Sequence, residues 1–314
     1  MSLRKFSTYS VFTLVMILTM VIANISPVLA QSTSEANDNS HRVFLPILVN
    51  NGENTAVQSA ANVTVGNGHL VFPNMDEFRV FMEDATNRND NDLDAIESDL
   101  GFTSMRSAAQ DSTEPDEAPD FIVEDLNFAT ALNPDGLIQI GEHMYKVTES
   151  HVYRTAIQNH DALAQANDSV MAAGKINGVD AFAVIRSIQQ FGDNCYDTSG
   201  NYRLKGRSWV SNYFFYASAG TYSKFEKKKK FLWWTTWKNH NASTLSVVYE
   251  SNVLLNGIPA TPSSNSITQN NTSKVSKTIA WDVGVYPYVT GEVSANHTAN
   301  HSGNNFFCST DDSW

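Results

Sequence analysis

The chain has 314 residues, a formal net charge of −12, 42% hydrophobic and 11% aromatic residues, and two cysteines. That apolar content supports a real core and excludes a globally disordered chain, while the acidic balance argues against a nucleic-acid partner, which needs a basic surface. The charge is also uneven: residues 31–194 hold 26 acids and 8 basic residues, residues 195–314 hold 7 and 11, so the chain divides into an acidic and a basic half.

Arg4 and Lys5, an apolar run from Val11 to Ile22 and the closing Val28-Leu29-Ala30 follow the order of a secretory signal peptide, with cleavage expected near Ala30-Gln31. The competing reading, an uncleaved anchor, needs ~20 apolar residues; this run is shorter and is followed by Asn24 and Pro27. No cysteine lies near the cleavage point, so a lipid anchor is not expected, and the mature chain is predicted to be secreted or periplasmic. Cys195 and Cys308 are then expected to form a disulfide. They bracket the basic half, and closing so long a loop stabilises by roughly 4–5 kcal/mol in the chain-entropy model.

Residues 31–61 read as a polar leader with one apolar island, Phe44-Leu45-Pro46-Ile47-Leu48-Val49. That string resembles one near the mature N-terminus of secreted proteins of Chloroflexi-type filamentous gliding bacteria. Residues 62–194 read as an acidic helical module. Asn74 is placed to cap a helix with Glu77 as its capping-box partner, and Met75, Phe78, Phe81, Met82 and Ala85 share a face. A second helix is expected over 92–100, stopped by Gly101, and a third carries Leu126, Ala129 and Leu132 inward before the turn Asn133-Pro134-Asp135-Gly136. Leu137–Ile140 and His143–Val147 read as a hairpin that must pack on the helices. Phe121 to Val147 resembles a segment of uncharacterised exported Bacteroidetes proteins; the resemblance implies a domain of unknown function and brings no activity with it. A helix is expected from Thr155 to Ala173, with Gly174 as its stop.

Residues 195–314 alternate with period 2, as in Leu245, Val247 and Tyr249 or Ile279, Trp281 and Val283. The expected fold class is therefore α+β: a small N-terminal helical module with a β-hairpin, followed by a disulfide-closed antiparallel β-sandwich or barrel-like domain. Ser263–Thr278, rich in Ser, Asn and Thr, reads as a flexible surface loop in preference to the amphipathic hairpin of a pore former.

No nucleophile elbow, zincin helix, phosphate loop or dinucleotide fingerprint is present, so no catalytic residue, metal or cofactor is expected and an enzyme is the lesser reading. Asn89 to Asp94 has calcium-like alternation, but Ala95 stands where the loop needs glycine and Gly101 where it needs glutamate; a solvated helix N-terminus is preferred. His297 and His301, in a polar setting, read as surface histidines. The sequons at Asn62, Asn241 and Asn271 are discounted for a bacterial chain.

The most distinctive stretch is Lys227–Lys230 followed by Phe231-Leu232-Trp233-Trp234-Thr235-Thr236-Trp237. As a strand it would place Trp233 and Trp237 on one face and Trp234 on the other. In one reading the lysines form a solvated hairpin tip and the indoles are core. In the other, Trp233, Trp234 and Trp237 with Lys228 and Lys230 form a ligand surface. The function expected from the second is extracellular binding or surface association through the β domain, with a polysaccharide or the cell surface as partner and carbohydrate favoured. The alternatives are a membrane-active or pore-forming protein and a hydrolase without a recognisable motif.

Overall fold

A computed structural model describes residues 61–111, 123–173, 175–186, 194–231, 234–261 and 263–310, all inside one compact unit, Ala56–Trp314. The signal segment, the apolar island of the leader, most of the acidic loop, Gly174 and Trp233 lie outside the described residues.

The N-terminal part is a sheet with helices. In chain order it contains β1 (Thr64–Gly66), β2 (His69–Phe72), α1 (Met75–Thr86), α2 (Asp90–Leu100), α3 (Met105–Asp111), α4 (Leu126–Ala131), β3 (Leu137–Ile140), β4 (His143–Val147) and β5 (His151–Ala156). A 3₁₀ turn at Ile157–Asn159, α5 (His160–Gln165), α6 (Asp168–Ala173) and β6 (Val179–Ala183) follow. The strands lie in the order β1-β2-β3-β4-β5-β6. The expected hairpin is the middle of this sheet rather than an appendage to helices. β2 and β3 are parallel, and α1 to α4 provide the crossover that a parallel pair requires.

Local chemistry explains the boundaries. Asn74 and Asn89 cap α1 and α2 by accepting from the backbone N–H of Glu77 and Asp92. Glu77 does not close a capping box: its carboxylate accepts from the backbone N–H of Asn62 at 2.7 Å. The Asn133 side chain accepts from the N–H groups of Asp135 and Leu137, and Gly136 turns at φ +78° where a Cβ would stand 2.2 Å from the Val147 carbonyl. The helix expected from Thr155 to Ala173 is replaced by the end of β5 and two short helices. Thr155 is held in the ladder opposite Met144 and Val179, and Asn167 restarts the helix by accepting from the Val170 N–H. The acids of the calcium-like loop are not simply solvated either. Fully buried Arg106 pairs with Asp90, Asp94 and Glu97, and Lys274 reaches Asp90 at 3.3 Å.

The rest is antiparallel: β7 (Ile185–Arg186), β8 (Asn194–Ser199), β9 (Tyr202–Asn212), β10 (Tyr216–Phe231), β11 (Trp234–Asn239), β12 (Ala242–Leu255), β13 (Ile258–Pro259), β14 (Ser264–Thr272), β15 (Lys274–Val283), β16 (Val289–His301) and β17 (Asn304–Thr310). A second sheet joins β7, β8, β9, β10, β11 and β15, and a third joins β12, β13, β14, β16 and β17. These two face one another across a core of Leu204, Phe225, Leu245, Val247, Val275, Val293 and Phe306. No sheet closes into a barrel among the described residues. The Cys195–Cys308 disulfide joins β8 to β17 across that core.

The segment 263–278, expected as a loop, is β14 and the start of β15. β14 pairs with β12 from Thr272↔Ala242 to Ser264↔Glu250, and its hydroxyls and amides find cross-strand partners, Ser246 to Thr268 at 2.8 Å and Thr244 to Asn270 at 3.1 Å. A half-exposed strand needs few apolar residues, so composition hid it.

His297 corrects the surface reading. It is fully buried, with Nδ1 2.8 Å from Ser223 Oγ and Nε2 3.2 Å from Thr310 Oγ1. Residues four apart share a face on a strand as well as on a helix, and this face points into the sandwich. Only glycine fits at 206: a Cβ there would lie 2.3 Å from the His297 ring and 2.7 Å from Cys195 Sγ.

The acidic and basic halves share a core. Phe78 and Phe128 pack on Phe215 and Tyr216, with Phe128 and Tyr216 stacked at 4.4 Å; such pairs contribute about 0.5–1.5 kcal/mol beyond their burial. The α4 cap Asp125 accepts from the Tyr216 hydroxyl at 2.6 Å and the Thr278 hydroxyl at 3.2 Å.

Candidate functional site on the outer face of the second sheet

Alternation along β9 decides what each face carries. Leu204, Gly206 and Ser208 are buried in the sandwich, while Arg203, Lys205 and Arg207 stand on the other face, partly exposed. The ladders carry that face across the sheet: Tyr196 of β8 lies opposite Lys205, Lys205 opposite Lys224 of β10, and Arg203 opposite Glu226. β10 outruns β15, so its far half pairs with β11 instead, where Lys228 lies opposite Trp237.

Arg203 is the centre of this surface. Its guanidinium donates to Glu226 from Nε at 2.8 Å and from a terminal nitrogen at 2.6 Å. It stands 4.5 Å from the centroid of the Trp237 ring and 5.4 Å from that of Tyr196, within reach of the attraction between a cation and an aromatic face. Two ammonium groups flank the rings, Lys228 at 5.7 Å from Trp237 and Lys205 at 5.7 Å from Tyr196. Glu226, 4% exposed, also holds Lys224 at 3.1 Å. Burial by itself pushes the Glu226 carboxyl up, but Lys224 and Arg203 outweigh it and hold it below the usual glutamate value. Arg203 and Lys224 are thus held on one carboxylate, while Lys205 and Lys228 stand against the flanking rings, of which Tyr196 is 50% exposed.

Of the residues singled out in the sequence, Lys228 and Trp237 meet here, and Lys230 is exposed two places further along β10, opposite Thr235. Trp234 lies opposite Phe231 in the ladder. Arg203, Tyr196, Lys205 and Glu226 were missed. The cations at 203, 205 and 207, alternating with Leu204 and Gly206, were the available signal.

No family model matches the chain. No curated protein matches it either. Among solved structures it is similar to a DUF4848 family protein from Bacteroides thetaiotaomicron, at 11% identity and a TM-score of 0.22, over 79% of this chain and 98% of that one. A likeness at that TM-score carries no functional weight.

A second polar cluster lies further along the same face of β9. A cleft of about 380 Å³ is lined by Glu124, Ser150, Asp168, Arg186, Arg207 and Ser211, among others. Glu124 accepts from Arg186 at 3.0 Å, Arg207 at 3.3 Å and Ser211 at 2.9 Å. At the rim, Asp168 accepts from Ser150 and from Tyr153 at 2.5 Å. Burial would raise the Asp168 carboxyl; its hydrogen bonds from Ser150, Tyr153 and His151 bring it below the usual value instead. Ser150 Oγ and Asp168 Oδ1 both approach the same nitrogen of His151, Nδ1, at 3.1 and 3.0 Å. A nucleophile–base–acid triad uses the two ring nitrogens separately, so this cluster is not arranged as one. Among the described residues no group of three or more His, Cys, Asp or Glu has metal-site geometry, and no helix is long and apolar enough to cross a membrane.

Proposed function

We propose that this is an exported binding protein that holds a carbohydrate polymer on the outer face of β8 to β11. The observation that carries the reading is the Arg203 guanidinium, held by Glu226 and within 5.4 Å of the Tyr196 ring centre and 4.5 Å of that of Trp237. Sugar rings present apolar C–H faces that settle on flat aromatic surfaces, and their hydroxyls accept from neighbouring cations. A sheet face fixes these groups without a loop rearrangement, which lowers the entropic cost of binding. Export is supported by the order of residues 4–30 and by the Cys195–Cys308 disulfide, since disulfides persist in oxidising compartments.

The test is affinity electrophoresis of the purified protein through gels loaded with neutral and acidic polysaccharides, with iodide quenching of tryptophan fluorescence in parallel. Retardation in at least one gel, weakened in Trp237→Ala and accompanied by protection from iodide, supports the reading. Unchanged mobility in every gel overturns it, and dye leakage from vesicles in that case favours membrane attack.

A further inference from the structure

We propose a second binding surface, on the opposite side of the sandwich: the outer face of the third sheet takes an extended, uncharged polysaccharide. This surface is independent of the face formed by β8 to β11. Leu245, Val247, Ala295, Ala299 and Phe306 turn into the core, so the residues alternating with them point to solvent. Pairing across β14, β12, β16 and β17 sets Thr268, Ser246, Thr298 and Phe307 side by side. The rows two residues to either side hold only Ser, Thr and Asn apart from Val248. None of these three rows of four carries a charge, although the surface of a soluble protein is commonly ~25–35% charged. The nearest acid in the same alternation along β12 is Glu250, one row further on.

The side chains select the ligand. Hydroxyl and amide groups both donate and accept, which suits a polymer whose own surface is hydroxyls. Cross-strand bonds already hold them in place, Ser246 to Thr268 at 2.8 Å, Thr244 to Asn270 at 3.1 Å and Asn300 to Asn305 at 2.7 Å, so little side-chain freedom is lost on binding. Phe307, 59% exposed, ends the middle row with an apolar platform for the C–H face of a sugar, and its backbone N–H is tied to Asp197 at 2.9 Å. Four strands about 4.8 Å apart span ~14 Å, room for a stretch of extended chain in place of a single sugar. The same composition disfavours other partners. Rows without a cation do not attract a polyanion. With Val248 and Phe307 as their only large apolar side chains, they also lack the apolar area by which a membrane or a protein partner docks.

The experiment is affinity electrophoresis of the full chain carrying Trp237→Ala, so that the first face is silenced, through gels loaded with hydroxyethyl cellulose, xyloglucan, mannan or polygalacturonate at low and high salt. Expected is retardation by at least one of the three neutral polymers, unchanged by salt because no ion pair is involved. Adding Phe307→Ala weakens it about three- to tenfold, and adding Thr298→Lys, which sets an ammonium among the hydroxyls, weakens it as well. Both side chains are exposed, so the variants should fold, and unchanged melting temperatures verify this. Retardation by a neutral polymer that neither substitution alters places the glycan elsewhere and overturns the site. Loss of all neutral-polymer retardation on Trp237→Ala assigns such binding to the first face and overturns the second alone. Retardation by polygalacturonate only, or by nothing, overturns it too. A dimer in light scattering that Thr298→Lys splits gives the face to a second copy of the chain and overturns it likewise.

Discussion

The Arg203 guanidinium stands 4.5 Å from the centre of the Trp237 indole, although the two residues are on strands that never pair with each other. β10 lies between them, and it supplies Glu226 to hold the guanidinium and Lys228 to flank the indole. The proposed binding surface and the stability of the sheet therefore meet at Arg203. Replacing it with alanine leaves Glu226 buried with Lys224 as its remaining ion-pair partner. The expected cost is about 1–3 kcal/mol, read from the midpoint of urea unfolding. Arg203→Lys should recover part of that stability and less of the proposed glycan affinity, because an ammonium keeps the charge and loses the planar stack.

Burial in the sandwich lowers the His297 imidazole to about 4, against 6.5 for a free histidine. Between those values the unfolded chain binds a proton that the folded chain excludes, so stability is full above pH 6.5 and falls as pH drops towards 4. The shift corresponds to roughly 3 kcal/mol. Urea unfolding followed from pH 7.5 to 4 should show this slope, and His297→Gln should flatten it. An unaltered slope in the variant would assign the pH dependence to other groups.

Reducing the Cys195–Cys308 bond, or replacing both cysteines with serine, opens a loop between positions 113 residues apart. The chain-entropy model puts the loss at about 4–5 kcal/mol. Denaturant midpoints with and without reductant measure it, and a protein already lacking both cysteines should not respond to reductant.

Gly206→Ala tests the packing behind the site. Its Cβ would enter the His297 ring and the disulfide, and the expected cost is about 1–3 kcal/mol. Lys230→Ala, at an exposed position of β10, should stay within about 0.5 kcal/mol. Thermal melts of the two variants should therefore separate clearly, and comparable melting temperatures would place residue 206 outside the core.

Much of the architecture is local and was readable as such. Asparagine caps at 74 and 89, the Asn133 to Gly136 turn, the hairpin after it and the period-2 strands of the basic half depend on neighbours within a few residues. β14 was hidden because an edge strand stabilised by hydroxyl and amide pairs has the composition of a loop. The helix expected beyond Thr155 yielded to ladder bonds from Met144 and Val179, which are distant in sequence.

By itself the sequence determined which residues alternate, where the caps and turns fall, which cysteines can pair, and that lysines and tryptophans are concentrated between 227 and 238. Only the tertiary structure decided that His297 points inward, that Glu226 lies beneath the cations, and that Arg203 from one hairpin reaches Trp237 in the next. Alternation assigns a side chain to one of two faces; it does not say which strand lies beside it or which face the core will cover. Those choices are made by long-range pairing and burial, and the candidate site is built from them.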